Sequence, residues 1–148
     1  MNWPSATDAA AFLAMGQGVL ATQPFSRHVG AELTALEPGR CELALDLVPQ
    51  LLQQNGFAHG GVVSYLADNA LTFAGGTAMG VPVVTSEYKI NYVRPAIGAR
   101  LVARAHAAYV GKGQAVCRCE VFASNDGVEK LCAIAQGTIA RLVSDAAA

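Results

Sequence analysis

Residues 61–80, GVVSYLADNALTFAGGTAMG, are the segment that most limits what this chain can fold into. The run is long enough for five helical turns, is rich in Ala and Leu, and is closed by the stop signals Gly80 and Pro82. Val63, Leu66, Ala70, Phe73 and Ala74 spread apolar character over most of its circumference. A helix apolar nearly all round has to be buried on most sides, so the rest of the chain must surround it.

The rest reads as strands. AELTALEPGRCELALDLVP, from Ala31, is two alternating runs separated by Pro38 and Gly39, the pattern of a hairpin with one wet face. After Pro82 come VVTSEYKINYVRP, ARLVARAHAAYVGKG, QAVCRCEVFASNDG and EKLCAIAQGTIARL, punctuated by Pro95/Gly98, Gly111/Gly113 and Asn125-Asp126-Gly127. Long antiparallel strands wrapped around one buried helix are the expected result, an α+β architecture. Residues 5–16 read as a short helix with Ser and Thr cap candidates and a stop at Gly16, and residues 18–30, GVLATQPFSRHVG, as a lead into the first strand broken at Pro24. QLLQQNGFAHGG reads as a loop, and the Ala tail at 146–148 as a frayed end. One domain over 1–148 is expected, with an N-terminal helical segment of about 5–27 and a core of about 28–142.

Composition narrows the partners. Hydrophobic residues make up 53% and charged residues 14%, against about 25% charged in ordinary soluble domains. That is more apolar surface than one small monomer hides, which favours a homo-oligomer. A net charge of -1 without any Lys/Arg run argues against nucleic acid. No apolar run reaches the roughly 18 residues that a membrane span needs. The N-terminus lacks a basic region and carries Asp8 where a signal peptide would be apolar, so a cytoplasmic, reduced protein is expected. Cys41, Cys117, Cys119 and Cys132 lack the spacing of a zinc site, Cys117 and Cys119 standing one residue apart on a strand, and read as buried, reduced core residues; no metal is expected.

Within this apolar frame one acid stands out. Between Asp46 and Glu87 the chain has no Lys, Arg, Asp or Glu except Asp68. Helical spacing puts Asp68 in a stripe of small or polar residues, Gly61, Ser64, Asp68, Thr72 and Gly75. Such a stripe meets water in a cleft, a ligand, or another chain. Burying an unpaired carboxylate is costly, so a functional role competes with simple solvation at a helix edge. His59-Gly60-Gly61 opens the helix with unhindered N–H groups at the positive end of the helix dipole, suited to a developing oxyanion. His59 precedes the acid by nine residues, so the two act together only across a dimer; a structural role in the turn is its alternative. Gln53 and Asn55 add amides able to orient a carbonyl or a water.

Taken together, GFAHGGVVSYLADNA, YKINYVRPAIGARLVARAHAAYVGKG and AIAQGTIARL closely resemble the PaaI-like branch of the hotdog-fold thioesterases over roughly residues 28–142. The resemblance implies a five- to six-stranded antiparallel sheet around the long helix, two units pairing into a continuous sheet, often two dimers per tetramer, and hydrolysis of acyl-coenzyme A at sites shared between subunits. It implies that Asp68 is the catalytic carboxylate and that the N–H of Gly60 polarises the thioester carbonyl. Gln53, where the family more often has Asn, positions substrate or water; Thr72 matches a hydroxyl of some members, and Thr85 falls near a water-holding Ser of others. Thioester hydrolysis of this kind needs an oxyanion site and one carboxylate, and no metal or redox cofactor. For the coenzyme A phosphates Arg94 and Lys112, with the Gly111-Lys112-Gly113 turn, are the preferred candidates. Two other readings are a hotdog hydratase or dehydratase, against which the missing D-x-x-x-x-H element counts, and a non-catalytic acyl-CoA-binding or sensing module, against which Asp68 counts.

Overall fold

The computed structural model describes residues 3–4 and 8–143. The central helix α3 runs Gly60–Met79, capped by His59 and by Gly80 in the left-handed region (φ 67°). Its buried face includes Val63, Leu66, Ala67, Ala70, Leu71, Phe73 and Ala74. Around it curves one antiparallel sheet of six strands, β1 Glu32–Glu37, β2 Arg40–Asp46, β3 Val83–Tyr92, β4 Arg100–Val110, β5 Gln114–Asn125 and β6 Val128–Arg141, in the order β1-β2-β4-β5-β6-β3. The expected α+β arrangement is therefore present. α3 packs on β2 through β6, where Leu43, Leu45, Leu101, Val121 and Ile139 are fully buried. Each such side chain contributes about 1.5–3 kcal/mol when removed from water.

At Gly75 helix and sheet come close together. A Cβ there would lie 2.7 Å from Cβ of Ile139 on β6, so the small end of the stripe is explained by backbone proximity to the sheet. All four cysteines are free and buried, as expected. Burial pushes the Cys41 thiol up to about 12 and those of Cys117 and Cys132 to about 11.

Three local expectations need correction. The first helix, α1, spans Ala9–Ala21 and is capped by Asp8, whose carboxylate accepts from Ala11 N at 3.0 Å; the Ser5 and Thr7 cap candidates lie outside the described residues. Gly16 does not stop it, because this glycine faces Leu33 and Leu36 of β1 so closely that a Cβ would collide with both side chains. Residues 24–29, expected to lead into a strand, form a second helix, α2 Pro24–Val29, with Pro24 at the first turn, where its missing N–H is harmless, and Gly30 closing it at φ 72°. The loop before α3 holds a single 3-10 turn, Pro49–Leu51. The Ala tail lies outside the described residues.

Candidate active site

Asp68 is half-buried on α3, on the side facing the sheet edge β3. Its Oδ1 accepts a hydrogen bond from Thr85 Oγ1 at 2.6 Å. Thr72, one turn on, lies 2.9 Å from the Thr85 hydroxyl and 2.9 Å from the Asp68 carbonyl. Since the Thr85 hydrogen goes to the carboxylate, the single Thr72 hydrogen is shared between the Asp68 carbonyl and the Thr85 hydroxyl, and Thr85 supplies the one hydroxyl bond to the carboxylate. The other oxygen, Oδ2, has no hydrogen-bond partner among the described residues. Asp68 is thus fixed through one oxygen and has the other available.

A bulge makes this possible. Along β3, Val83 and Thr85 are half-buried, Ser86 and Glu87 exposed, and Tyr88 and Ile90 half-buried again, with the register to β6 shifting between Thr85 and Glu87. One extra residue re-phases the strand so that Thr85 and Tyr88, three apart, both face α3. Tyr88 then meets Ser64, one turn before Asp68, with their hydroxyls 2.6 Å apart.

At the start of α3, His59 Nδ1 accepts from Gly61 N at 2.9 Å, which places the proton of the neutral ring on Nε2. The amides of Val62 and Val63 both donate to the His59 carbonyl. The Gly60 N–H is left with no acceptor among the described residues, one of the unsatisfied donors that helix starts leave. Its position is fixed from both sides, by His59 N to Leu51 O at 2.9 Å and Ala58 N to Ala96 O at 3.0 Å before it, and by Tyr92 Oη donating to the Gly60 carbonyl at 3.1 Å. Gly60 opens onto a cleft of about 430 Å³ lined by Gln53, Phe57, Tyr92, Arg94 and Cys132 among others.

The remaining expected residues divide between two places. Gln53 lies in the Gly60 cleft, its Oε1 accepting from Asn55 N at 3.0 Å, so both amide-bearing residues belong to one tight turn. Arg94 borders the same cleft and donates to Leu131 O at 2.9 Å. Gly61 is exposed, with its N–H already used by His59. Lys112 and Gly113 sit in the β4–β5 turn, where Gly113 O accepts from Arg141 N, opposite the beginning of β3. Arg94 follows the other end of β3, so one chain does not bring Arg94 and Lys112 together. Nor does it bring together Asp68 and Gly60, eight residues or roughly 12 Å apart along one helix. Tyr92 was not anticipated as a site residue; its even spacing from Tyr88 is the signal that puts both on one face of the strand.

A larger cleft of about 620 Å³ lies on the outer face of the sheet, lined by Arg40, Glu42, Arg104, His106, Arg118 and Glu120 among others, and contains neither Asp68 nor Gly60. Arg104 there is tied to Glu42 at 2.7 Å and Glu129 at 2.6 Å, and the guanidinium holds the Glu129 carboxyl below its usual range.

Comparison with known proteins bears on the family and the fold. The family model described as "Thioesterase superfamily" matches residues 55–130, from the turn before α3 into β6. A 1,4-dihydroxy-2-naphthoyl-CoA hydrolase of Listeria monocytogenes is 28% identical over 116 residues, covering 76% of this chain and 90% of the relative. A thioesterase family protein of Silicibacter pomeroyi superposes with a TM-score of 0.84 at 31% identity, covering 95% of this chain and 100% of that one. The phenylacetic acid degradation protein PaaI of Thermus thermophilus superposes with a TM-score of 0.71 at 34% identity, over 81% of this chain and 100% of that one. The sheet order, the long buried helix and the family match together place this chain in the thioesterase superfamily, as a hotdog-fold enzyme of the thioester-hydrolase class.

Proposed function

We propose that the protein hydrolyses acyl-CoA thioesters at sites that each combine Asp68 of one subunit with the Gly60 N–H of a second copy. The observation that carries this reading is the separation of the two groups. Asp68 has one oxygen held and one available, and Gly60 has an unused donor, yet a single helix keeps them roughly 12 Å apart. β3 is a ten-residue strand at the sheet edge, and an edge of that length is a template for another strand. Antiparallel pairing of β3 with its copy, about a two-fold axis between Tyr88 and Lys89, sets Thr85 of one copy across from Tyr92 of the other. The Asp68 end then meets the Gly60 end, and Arg94 comes towards Lys112 and Gly113 of the second copy, a basic border for the coenzyme A phosphates. Two such dimers form the tetramer.

In this site the thioester carbonyl oxygen accepts from Gly60 N–H, whose alignment with the helix dipole favours negative charge as the carbonyl becomes tetrahedral. Asp68 Oδ2 acts in one of two ways. It removes a proton from water as the water oxygen bonds to the carbonyl carbon; the tetrahedral oxyanion then collapses, the C–S bond breaks, and the thiolate leaves and takes up a proton. Alternatively Oδ2 itself bonds to the carbon, the thiolate leaves a mixed anhydride, and water cleaves it to regenerate the carboxylate. Gln53 orients substrate or water from the cleft side. Neither route draws on a metal or redox cofactor.

Gly60→Pro tests the reading. Proline removes the N–H, and it suits the first turn of a helix. His59 already has the extended backbone (φ −61°, ψ 136°) that a following proline requires, and a Cβ at Gly60 meets only ordinary contacts at 3.7 Å with Tyr92. Acyl-CoA hydrolysis, followed by free-thiol release, is expected to fall about 100-fold with the fold intact; unchanged turnover would remove Gly60 from the mechanism. Mixing Gly60→Pro with Asp68→Asn subunits regenerates one intact site in each mixed dimer, so about a quarter of wild-type activity returns on random exchange. Exchange without recovery would rule out a shared site.

A further inference from the structure

Beside Asp68, on the side away from β3, a part-buried polar cluster joins α2 to α3. Tyr65 Oη donates to Ser26 Oγ at 2.6 Å, Ser26 Oγ to Gln23 Oε1 at 2.5 Å, and Asn69 Nδ2 to Gln23 Oε1 and Tyr65 Oη, both at 3.1 Å. Ser26 is 1% exposed. Tyr65 and Asn69 flank Asp68 on α3, three residues before it and one after. These four hydrogen bonds tie α2 to α3 through one buried hydroxyl, Ser26, and three half-buried side chains, and α2 is bounded by Pro24 at one end and Gly30 at the other.

The held element displays an aromatic ring. Phe25 is 58% exposed, so it is not part of the core, and it stands edge-on to Tyr65 with ring centroids 5.0 Å apart. At about 100° per residue, Asp68 projects from α3 between Ser64, which meets Tyr88 on β3, and Tyr65, which meets Ser26 and Phe25 on α2. Around the helix axis Asp68 is therefore flanked by β3 on one side and by the Phe25–Tyr65 pair on the other, with Tyr65 about 4.5 Å along the axis from the acid.

We propose that Phe25 is a specificity-determining residue, an apolar wall for the acyl group of the thioester, and that Ser26, Gln23 and Asn69 are positioning residues that hold it there. The inference rests on the thioesterase reading above and adds the substrate class: acyl groups with an extended chain or a ring, large enough to pass the Asp68 carboxylate and reach Phe25. A short acyl group ends before the wall.

The test compares wild type, Phe25→Ala and Phe25→Leu as full chains with acetyl-CoA, butanoyl-CoA, hexanoyl-CoA and benzoyl-CoA. For Phe25→Ala, kcat/KM for hexanoyl-CoA or benzoyl-CoA is expected to fall about tenfold, mainly through KM, while the shortest substrate that wild type accepts changes less than about twofold. Loss on hexanoyl-CoA that Phe25→Leu restores assigns the wall to chains; loss on benzoyl-CoA that Leu does not restore assigns it to rings. Ser26→Ala is expected to shift the profile the same way. Equal loss on every substrate, or a flat profile in an active enzyme, would overturn the inference alone. A wild type inert on all four would overturn the thioesterase reading, and this inference with it.

Discussion

Thr85 Oγ1 and Asp68 Oδ1 are 2.6 Å apart across the gap between β3 and α3. The contact orients the carboxylate through one oxygen, so its loss should impair the reaction without abolishing it. Thr85→Val keeps the shape and removes the donor. It is expected to lower kcat about 10- to 100-fold with KM within about threefold, whereas Asp68→Asn is expected to lower kcat by about a thousandfold or more. Steady-state kinetics on one acyl-CoA decide it: equal losses in the two variants would make Thr85 a participant in the chemistry, and near-normal turnover of Asp68→Asn would remove the carboxylate from it.

That pair also marks where sequence reading succeeds and fails. The buried helix and the four later strands were legible because apolar periodicity runs over 10 or more residues, and the hairpin because Pro38 and Gly39 separate two alternating runs. Asp68 was legible because it is one acid in a long uncharged stretch. Strict alternation through VVTSEYKINY, however, puts Glu87 and Lys89 on the face of Thr85, and only the bulge after Thr85 turns Tyr88 and Ile90 inward instead. A one-residue bulge leaves no periodic trace. α2 was missed because six residues are too few to show a helical period, and Gly16 misled because a glycine that stops a helix and one that admits a neighbour read alike.

Gly75 belongs to the second kind. A methyl group there would sit 2.7 Å from Ile139 Cβ and 2.8 Å from its Cγ2, in a place where neither helix nor sheet can retreat without disturbing the core. Gly75→Ala is expected to destabilise the protein by about 2 kcal/mol, even though alanine is the better helix former. Denaturant unfolding measures the sign; stabilisation would show that α3 shifts freely on the sheet.

His59 separates into two roles by substitution. As the N-cap of α3 it accepts from Gly61 N at 2.9 Å, a function asparagine reproduces and alanine does not. His59→Ala is expected to cost about 1 kcal/mol of stability, and His59→Asn a few tenths. If the side chain acts only by fixing the helix start, His59→Asn keeps kcat within about threefold. A collapse of kcat in His59→Asn, with unfolding unchanged, would instead give the imidazole a part in the chemistry.

The cysteines carry a dependence on pH whose sign follows from burial. Cys41 is raised from 9.0 to about 12 and Cys132 from 9.0 to about 11, in both cases first by desolvation. Below pH 9 folded and unfolded chains both hold these protons. Above it the unfolded chain ionises first and binds fewer protons, so folding stability falls as pH rises from about 9 towards 12. Two measurements check this. Iodoacetamide at pH 8 is expected to leave all four thiols unmodified in the native protein and to modify all four in denaturant, because the thiolate is the nucleophile and burial suppresses it. Urea unfolding from pH 7 to pH 10.5 is expected to show a smaller loss of stability in Cys41→Ala than in wild type, since the variant lacks one of the ionising groups. An identical slope in both would mean that Cys41 does not set the alkaline limit.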